Sequence, residues 1–196
     1  MVGMDIKSGF KSMLKADKRL SDRVRLDNLP RHIRRASEVL AESGDSKYWW
    51  PMLIVLWLFG NTFWKEWVIV VTLGIGLLAL VTWPVKQLVK RKRPIGFWSL
   101  RTRDKDPNSF PSGHAAHTFL LATLATSLGP PWLAVIFWIW APLVSLAHVA
   151  MGVHFLSNTI GSMLIGILVW LLWPYLHEAV LQVLATASLQ ILHLPL

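Results

Sequence analysis

Three short segments of this chain carry side chains suited to gripping and attacking a phosphate. In the first, Lys86 and Arg93 are spaced close to two helical turns apart, so on a helix both cations leave one face, and Pro94 then stops the helix. That is an anion clamp. Lys90 shares the face, whereas Arg91 and Lys92 point elsewhere, toward lipid headgroups. In the second, Pro111-Ser112-Gly113-His114 stands immediately before an apolar run. Ser112 is a good helix cap, Gly113 lets the main chain approach a ligand, and the free N–H groups of the first turn attract an anion. His114 is placed there to donate a proton. In the third, Asn158 follows His154 by one helical turn, and His148 precedes it. An imidazole can attack phosphorus and become a phosphohistidine if its other nitrogen is held by an acceptor, and Asn158 is positioned to be that acceptor.

The elements that must position these segments are apolar. With 54% hydrophobic and 16% charged residues and a mean hydropathy of +0.45, the chain is too apolar for an ordinary soluble fold. Apolar runs at Trp49–Trp64, Trp67–Val85, Ala115–Leu128, Pro131–Ala147 and Phe155–Leu176 approach the length needed to cross a hydrocarbon core of about 30 Å. The third is short unless its helix starts near Ser112. A further stretch, Ala179–Leu196, carries Gln182, Gln190 and His193 and could span, lie in the interface or help form a homodimer. The expected fold is an all-α polytopic membrane bundle of about five to six transmembrane helices. Its parts are a surface arm (1–47), a transmembrane core (48–177) and a C-terminal apolar helix (178–196).

In the arm, Ile6, Phe10, Met13, Leu14 and Leu20 recur at helical spacing among Lys7, Lys11, Lys15, Lys18 and Arg19, as in a helix lying on anionic lipid. Leu29-Pro30 breaks it, and a second basic helix ends at Ser43-Gly44. These residues do not read as a secretory signal. Twelve tryptophans, many at run ends (Trp49, Trp50, Trp64, Trp67, Trp83, Trp132, Trp173), are expected to anchor at the headgroup level. The absence of cysteine excludes disulfides, thiolate metal sites and a cysteine nucleophile.

Counting crossings places Lys86, the loop to His114, and His148 to Asn158 on one face of the bilayer, with the turn at Lys65-Glu66 on the other. That shared face holds 11 Lys/Arg in the arm and 8 from Lys86 to Lys105, against Lys65 alone opposite. The positive-inside rule reads this as a cytoplasmic site and N-terminus in a cell membrane.

KxxxxxxRP at Lys86–Pro94, PSGH at Pro111–His114 and GVHFLSN at Gly152–Asn158 together resemble the type-2 phosphatidic acid phosphatase superfamily. The order, spacing and placement of the motifs agree over roughly Trp49–Leu176. The resemblance implies phosphate binding by Lys86, Arg93, Ser112 and Gly113, general acid or base work by His114, attack by His154, and no metal or cofactor. The family's third motif is SRxxxxxHxxxD, whereas the aligned positions here are Ala147, His148, His154 and Asn158. An Arg and an Asp are thus replaced. His148 can donate to phosphate but lacks the two-pronged grip of Arg, and the Asn158 amide could donate and fix the wrong tautomer of His154. Asp104 and Asp106 are candidate substitutes for the lost carboxylate.

The function expected is an integral membrane lipid phosphatase acting on a phosphomonoester or diphosphate of phosphatidate, phosphatidylglycerophosphate or polyprenyl type. Its partners are the lipid substrate and the bilayer, with no nucleic acid. Two alternatives are a lipid phosphotransferase and a protein that binds or transports a lipid phosphate without turning it over. His117 is expected to make a packed polar contact, and His32, His177 and His193 are assigned nothing.

Overall fold

A computed structural model describes residues 6–25, 30–95 and 106–192, with side chains of the last helix described as far as Tyr175. The described residues form seven helices: α1 (Ile6–Arg23), α2 (Arg31–Ser43), α3 (Ser46–Phe59), α4 (Thr62–Val89), α5 (Gly113–Leu128), α6 (Pro131–Ala150) and α7 (Leu156–Leu192). Asp104 and residues 193–196 lie outside them.

Polar caps set the helix starts. Asp45 accepts the Lys47 N–H at 3.0 Å to open α3, and Asn61 accepts the Trp64 N–H at 3.2 Å to open α4. The turn between them is therefore at Gly60-Asn61, and Lys65-Glu66, expected as that turn, fall inside the first turns of α4. α4, α6 and the stretch of α7 from Leu156 to Tyr175 are long and apolar enough to cross a membrane. α3 and α5, which occupy two other runs expected to cross, have 14 and 16 residues. At a rise of about 1.5 Å per residue both fall short of a core about 30 Å thick. As expected, α5 extends its apolar run backward to Gly113 behind the Ser112 cap. α7 runs through Pro174 and continues without a break into the C-terminal stretch.

The core is centred on α5, whose residues Ala115 to Ala125 are all buried between α4, α6 and α7. Close approach of α5 and α7 needs Gly166, where a Cβ would come within 2.5 Å of the Ala116 carbonyl oxygen. The outer faces are apolar and exposed: Ile54 and Leu58 on α3, Leu80 and Leu88 on α4, Ile136 and Ile139 on α6, Leu164 and Leu171 on α7. Such a surface suits hydrocarbon rather than water. Trp50, Trp83 and Trp132 are exposed as expected of anchors, but Trp49, Trp67 and Trp173 are buried. Trp49 packs edge-on to His117, with ring centroids 5.6 Å apart, and donates to the Ser43 carbonyl at 3.1 Å. The arm is tied to the bundle, because Trp140 on α6 donates to Ser43 Oγ at 2.8 Å and Ser21 Oγ accepts the Leu156 N–H at 2.9 Å.

Candidate active site

Lys86 and Arg93 come together, though not by the helical spacing that suggested it. α4 stops at Val89, where Lys90 adopts the left-handed conformation (φ 46°) and caps the last turn. The chain then runs extended, with Lys92 bridging Asn108 and the Ser109 N–H donating to the Arg91 carbonyl at 2.6 Å. Alternate residues of an extended segment share a side. Arg91 and Arg93 accordingly turn inward while Lys92 is exposed. Lys86 Nζ and Arg93 Nη2 converge on Asp106 Oδ2 at 2.5 and 2.9 Å, and Arg93 Nε donates to the Asp106 carbonyl at 2.7 Å. Asp106 thus sits on the cations and not, as one expectation had it, beside His154. Burial lowers the pKa of Arg93, against the opposing pull of Asp106.

Ser112 is buried at the start of α5. Its N–H donates to Ser162 Oγ at 2.6 Å, and Ser162 Oγ donates to the Asn158 carbonyl at 2.6 Å, so the second and third motifs are joined. The Ser112 carbonyl accepts the Ala116 N–H, and its hydroxyl faces the Ala115 N–H at 3.5 Å. The N–H groups of Gly113 and His114 remain for an anion. A Cβ added at Gly113 would meet nothing within 4 Å, so this face is open to a ligand.

His154 is held by two partners of fixed character. Its Nδ1 lies 2.8 Å from the Ser109 carbonyl oxygen, which can only accept. Its Nε2 lies 3.1 Å from Arg93 Nη1, which can only donate. Together they place the proton on Nδ1 and leave a lone pair on Nε2. Burial drives the pKa of His154 well below the ordinary imidazole value, Arg93 and His148 add to this, and the Ser109 carbonyl opposes it. The ring is neutral at pH 7. Asn158 is not the acceptor for His154. Its Nδ2 donates to the same Ser109 carbonyl at 3.0 Å, while its Oδ1 accepts from Arg91 Nη1 at 2.7 Å.

His148 and His114 complete the cluster. Their ring centroids are 4.5 Å apart, and the His148 and His154 centroids are 6.0 Å apart. His148 Nδ1 faces the Val144 carbonyl at 2.9 Å, which takes its proton as a hydrogen bond. Nε2 of His148 can then donate to a phosphate only when the ring carries a second proton, a narrower role than the expected phosphate donor. His114 Nε2 lies 3.9 Å from Asp45 Oδ2. His117 is buried on the edge of Trp49, as a packed contact.

The sequence profile of the PAP2 superfamily matches residues 65–181. The chain belongs to that superfamily. Its PAP2 relatives include the Escherichia coli (strain K12) protein YbjG, named for undecaprenyl-diphosphatase activity, 28% identical over 123 residues. That match covers 60% of this chain, which spans about three fifths (61%) of that relative's length. The fold is shared with a transmembrane PAP2-type phosphatidylglycerolphosphate phosphatase from Bacillus subtilis (TM-score 0.69, 22% identity, 86% of this chain and 87% of that one). It is also shared with Aquifex aeolicus LpxE (TM-score 0.65, 24% identity, 80% and 93%).

Three participants were not singled out from sequence for these contacts: Ser109, Arg91 and Asp45. Ser109 acts through its carbonyl, which no side-chain motif encodes. Helical spacing continued past Val89 points Arg91 at the headgroups; the parity of Arg91 and Arg93 in an extended segment is the signal that points it inward.

Proposed function

We propose that this protein is a metal-independent phosphatase of membrane lipid phosphates that works through a phosphohistidine at His154. The observation that carries the reading is the two-sided hydrogen bonding of His154, which gives a neutral ring with Nε2 unprotonated and directed at Arg93. The phosphate of the substrate takes the place of the Asp106 carboxylate between Lys86 and Arg93, and receives further hydrogen bonds from the Gly113 and His114 N–H groups. The phosphate draws Arg93 Nη1 away from Nε2, Nε2 attacks phosphorus, the bond from phosphorus to the leaving oxygen breaks, and His114, whose charged form the bound phosphate favours against the burial that lowers its pKa, supplies the proton to that oxygen. Water then attacks the phosphohistidine, neutral His114 takes its proton, and inorganic phosphate leaves.

The apolar outer surface and the named relatives favour a lipid phosphomonoester or diphosphate as substrate, with polyprenyl diphosphate and phosphatidylglycerophosphate the first two to try. The charge asymmetry around the site supports a cytoplasmic orientation. A reporter fused to the N-terminus tests this, and an extracytoplasmic signal would overturn it. The hydrogen bonds around His154 weigh against a site that binds phosphate without turnover, since the tautomer needed for attack does not depend on an acidic residue at 158.

Phosphate release from a panel of lipid phosphates with chelator present tests the proposal. The expected result is release by the wild type and none by His154→Ala. Release that requires added divalent metal, or that survives His154→Ala, would sink the mechanism. Transfer of the phosphoryl group to an added alcohol in preference to water would point to the phosphotransferase.

A further inference from the structure

The aligned acidic position of the third motif is Asn158, and an amide can present either its oxygen or its nitrogen to a neighbour. Which end faces Ser109 decides whether its carbonyl is held against His154 Nδ1 by a donor or pushed away by a second acceptor. Arg91 fixes this choice, because a guanidinium can only donate: Nη1 at 2.7 Å from Asn158 Oδ1 leaves Nδ2 to meet the Ser109 carbonyl at 3.0 Å. Arg91 is itself aimed by the N-terminal helix. Its Nη2 forms an ion pair with Asp17 Oδ2 at 2.5 Å, and its guanidinium lies over the Phe155 ring at 4.2 Å. Asp17 also accepts from the Ser157 N–H at 2.9 Å and from Ser157 Oγ at 2.6 Å. Asp17 therefore caps α7 from 140 residues away in the chain, outside the residues matched to the superfamily.

We infer that Asp17 is a positioning residue for His154, acting in sequence through Arg91, the Asn158 amide and the Ser109 carbonyl. The inference rests on the reading of His154 as the nucleophile. Burial acts to raise the pKa of Asp17, but hydrogen bonds from Ser157 and Arg91 outweigh it, so the carboxyl lies below its usual value and is charged at neutral pH. With that carboxylate removed, Arg91 loses the partner that aims it, the amide of Asn158 is free to turn, and the Ser109 carbonyl is no longer held against His154 Nδ1–H, so the ring loses its fixed orientation. Lys86, Asp106 and the open face at Gly113 lie away from this chain of contacts. Phosphate capture should then be spared while attack is slowed.

The test combines kinetics with the ring ¹⁵N resonances of His154 in the full-length protein in detergent or nanodiscs. Asp17→Ala should lower kcat roughly tenfold, as expected for losing a buried charge-assisted contact, with KM within about twofold and a weaker His154 Nδ1–H hydrogen bond, seen as a shift of the Nδ1 resonance. In an Asn158→Ala background the same change should cost little further, since both act along one route. Asp17→Asn, which keeps an acceptor for the Ser157 N–H, serves if the alanine variant does not fold. An unchanged Nδ1 resonance in the Asp17 variant, or a kcat loss of full size in the Asn158→Ala background, would overturn the inference. The ring ¹⁵N readout needs no substrate. A wild type that releases no phosphate would therefore count against the proposed function, while the spectrum still tests Asp17.

Discussion

The two sides of the site solve opposite problems. On the grip side, Lys86 and Arg93 are cations facing a carboxylate that is one-third exposed. On the attack side, His154 and Asn158 are buried at 3% and 0% exposure, and their mutual partner is a backbone carbonyl. In the proposed mechanism a phosphate must enter and leave, so its binding groups need a partner that can be exchanged, and Asp106 at the rim is one. A nucleophile must keep one proton in one place, and that is achieved by partners that can only donate or only accept. The departure from the superfamily pattern at 158 falls on the second side, where hydrogen-bond direction matters more than charge.

The contrast can be broken at Arg93, which belongs to both sides. Arg93→Lys retains one charge but cannot meet Asp106, the Val153 carbonyl and His154 together, as the fork of Arg93 does. Turnover should fall about a hundredfold, the size of effect seen when one preorganised donor to a reacting group is lost. A loss of less than about threefold would remove Arg93 from the attack side, where its donated hydrogen bond fixes Nε2.

Asn158→Asp restores the superfamily residue, yet it should reduce activity. A carboxylate keeps Arg91 but cannot donate to the Ser109 carbonyl, and losing a buried hydrogen bond costs about 1–3 kcal/mol, so roughly a tenfold drop in kcat is expected. A rise in kcat would mean that charge rather than direction governs the attack side. On the grip side, Asp106→Asn should lower KM a few-fold with kcat little changed, because the competing negative charge is removed from Lys86 and Arg93. A higher KM would show that Asp106 orders the clamp and does not compete for it.

The smallest expected effect is a titration. Because burial, then Arg93 and His148, depress the pKa of His154, its ring should remain neutral as pH falls through the free-imidazole value of about 6.5. It should protonate only at lower pH. Ring ¹⁵N shifts that move with a midpoint at or above that value would contradict the packing of the attack side.

The same division explains what the sequence made legible. Lys86, Arg93, Ser112, His114 and His154 stand in ordered motifs whose chemistry is carried by side chains, and the structure brings all of them to one end of α4 to α7. The helix boundaries were harder: Pro94 looked like the stop of α4, but the chain had already left the helix at Lys90 and paired with Asn108 and Ser109. The attack side was only partly legible because its decisive partner is a main-chain oxygen. Asp17 stands among lysines on a helix read as a membrane-surface arm, and nothing local ties it to Ser157. Asp45 was hidden for a similar reason, since it caps α3 and also approaches His114.

In the proposed mechanism His154 carries the phosphoryl group. Rapid quenching of the enzyme during turnover of a radiolabelled lipid phosphate, under alkaline conditions that preserve phosphohistidine, tests it most directly. Label is expected on the peptide containing His154, none in His154→Ala, with decay of the label at a rate no slower than phosphate release. Steady release of phosphate from the wild type with no label on that peptide, and continued release from His154→Ala, would contradict it.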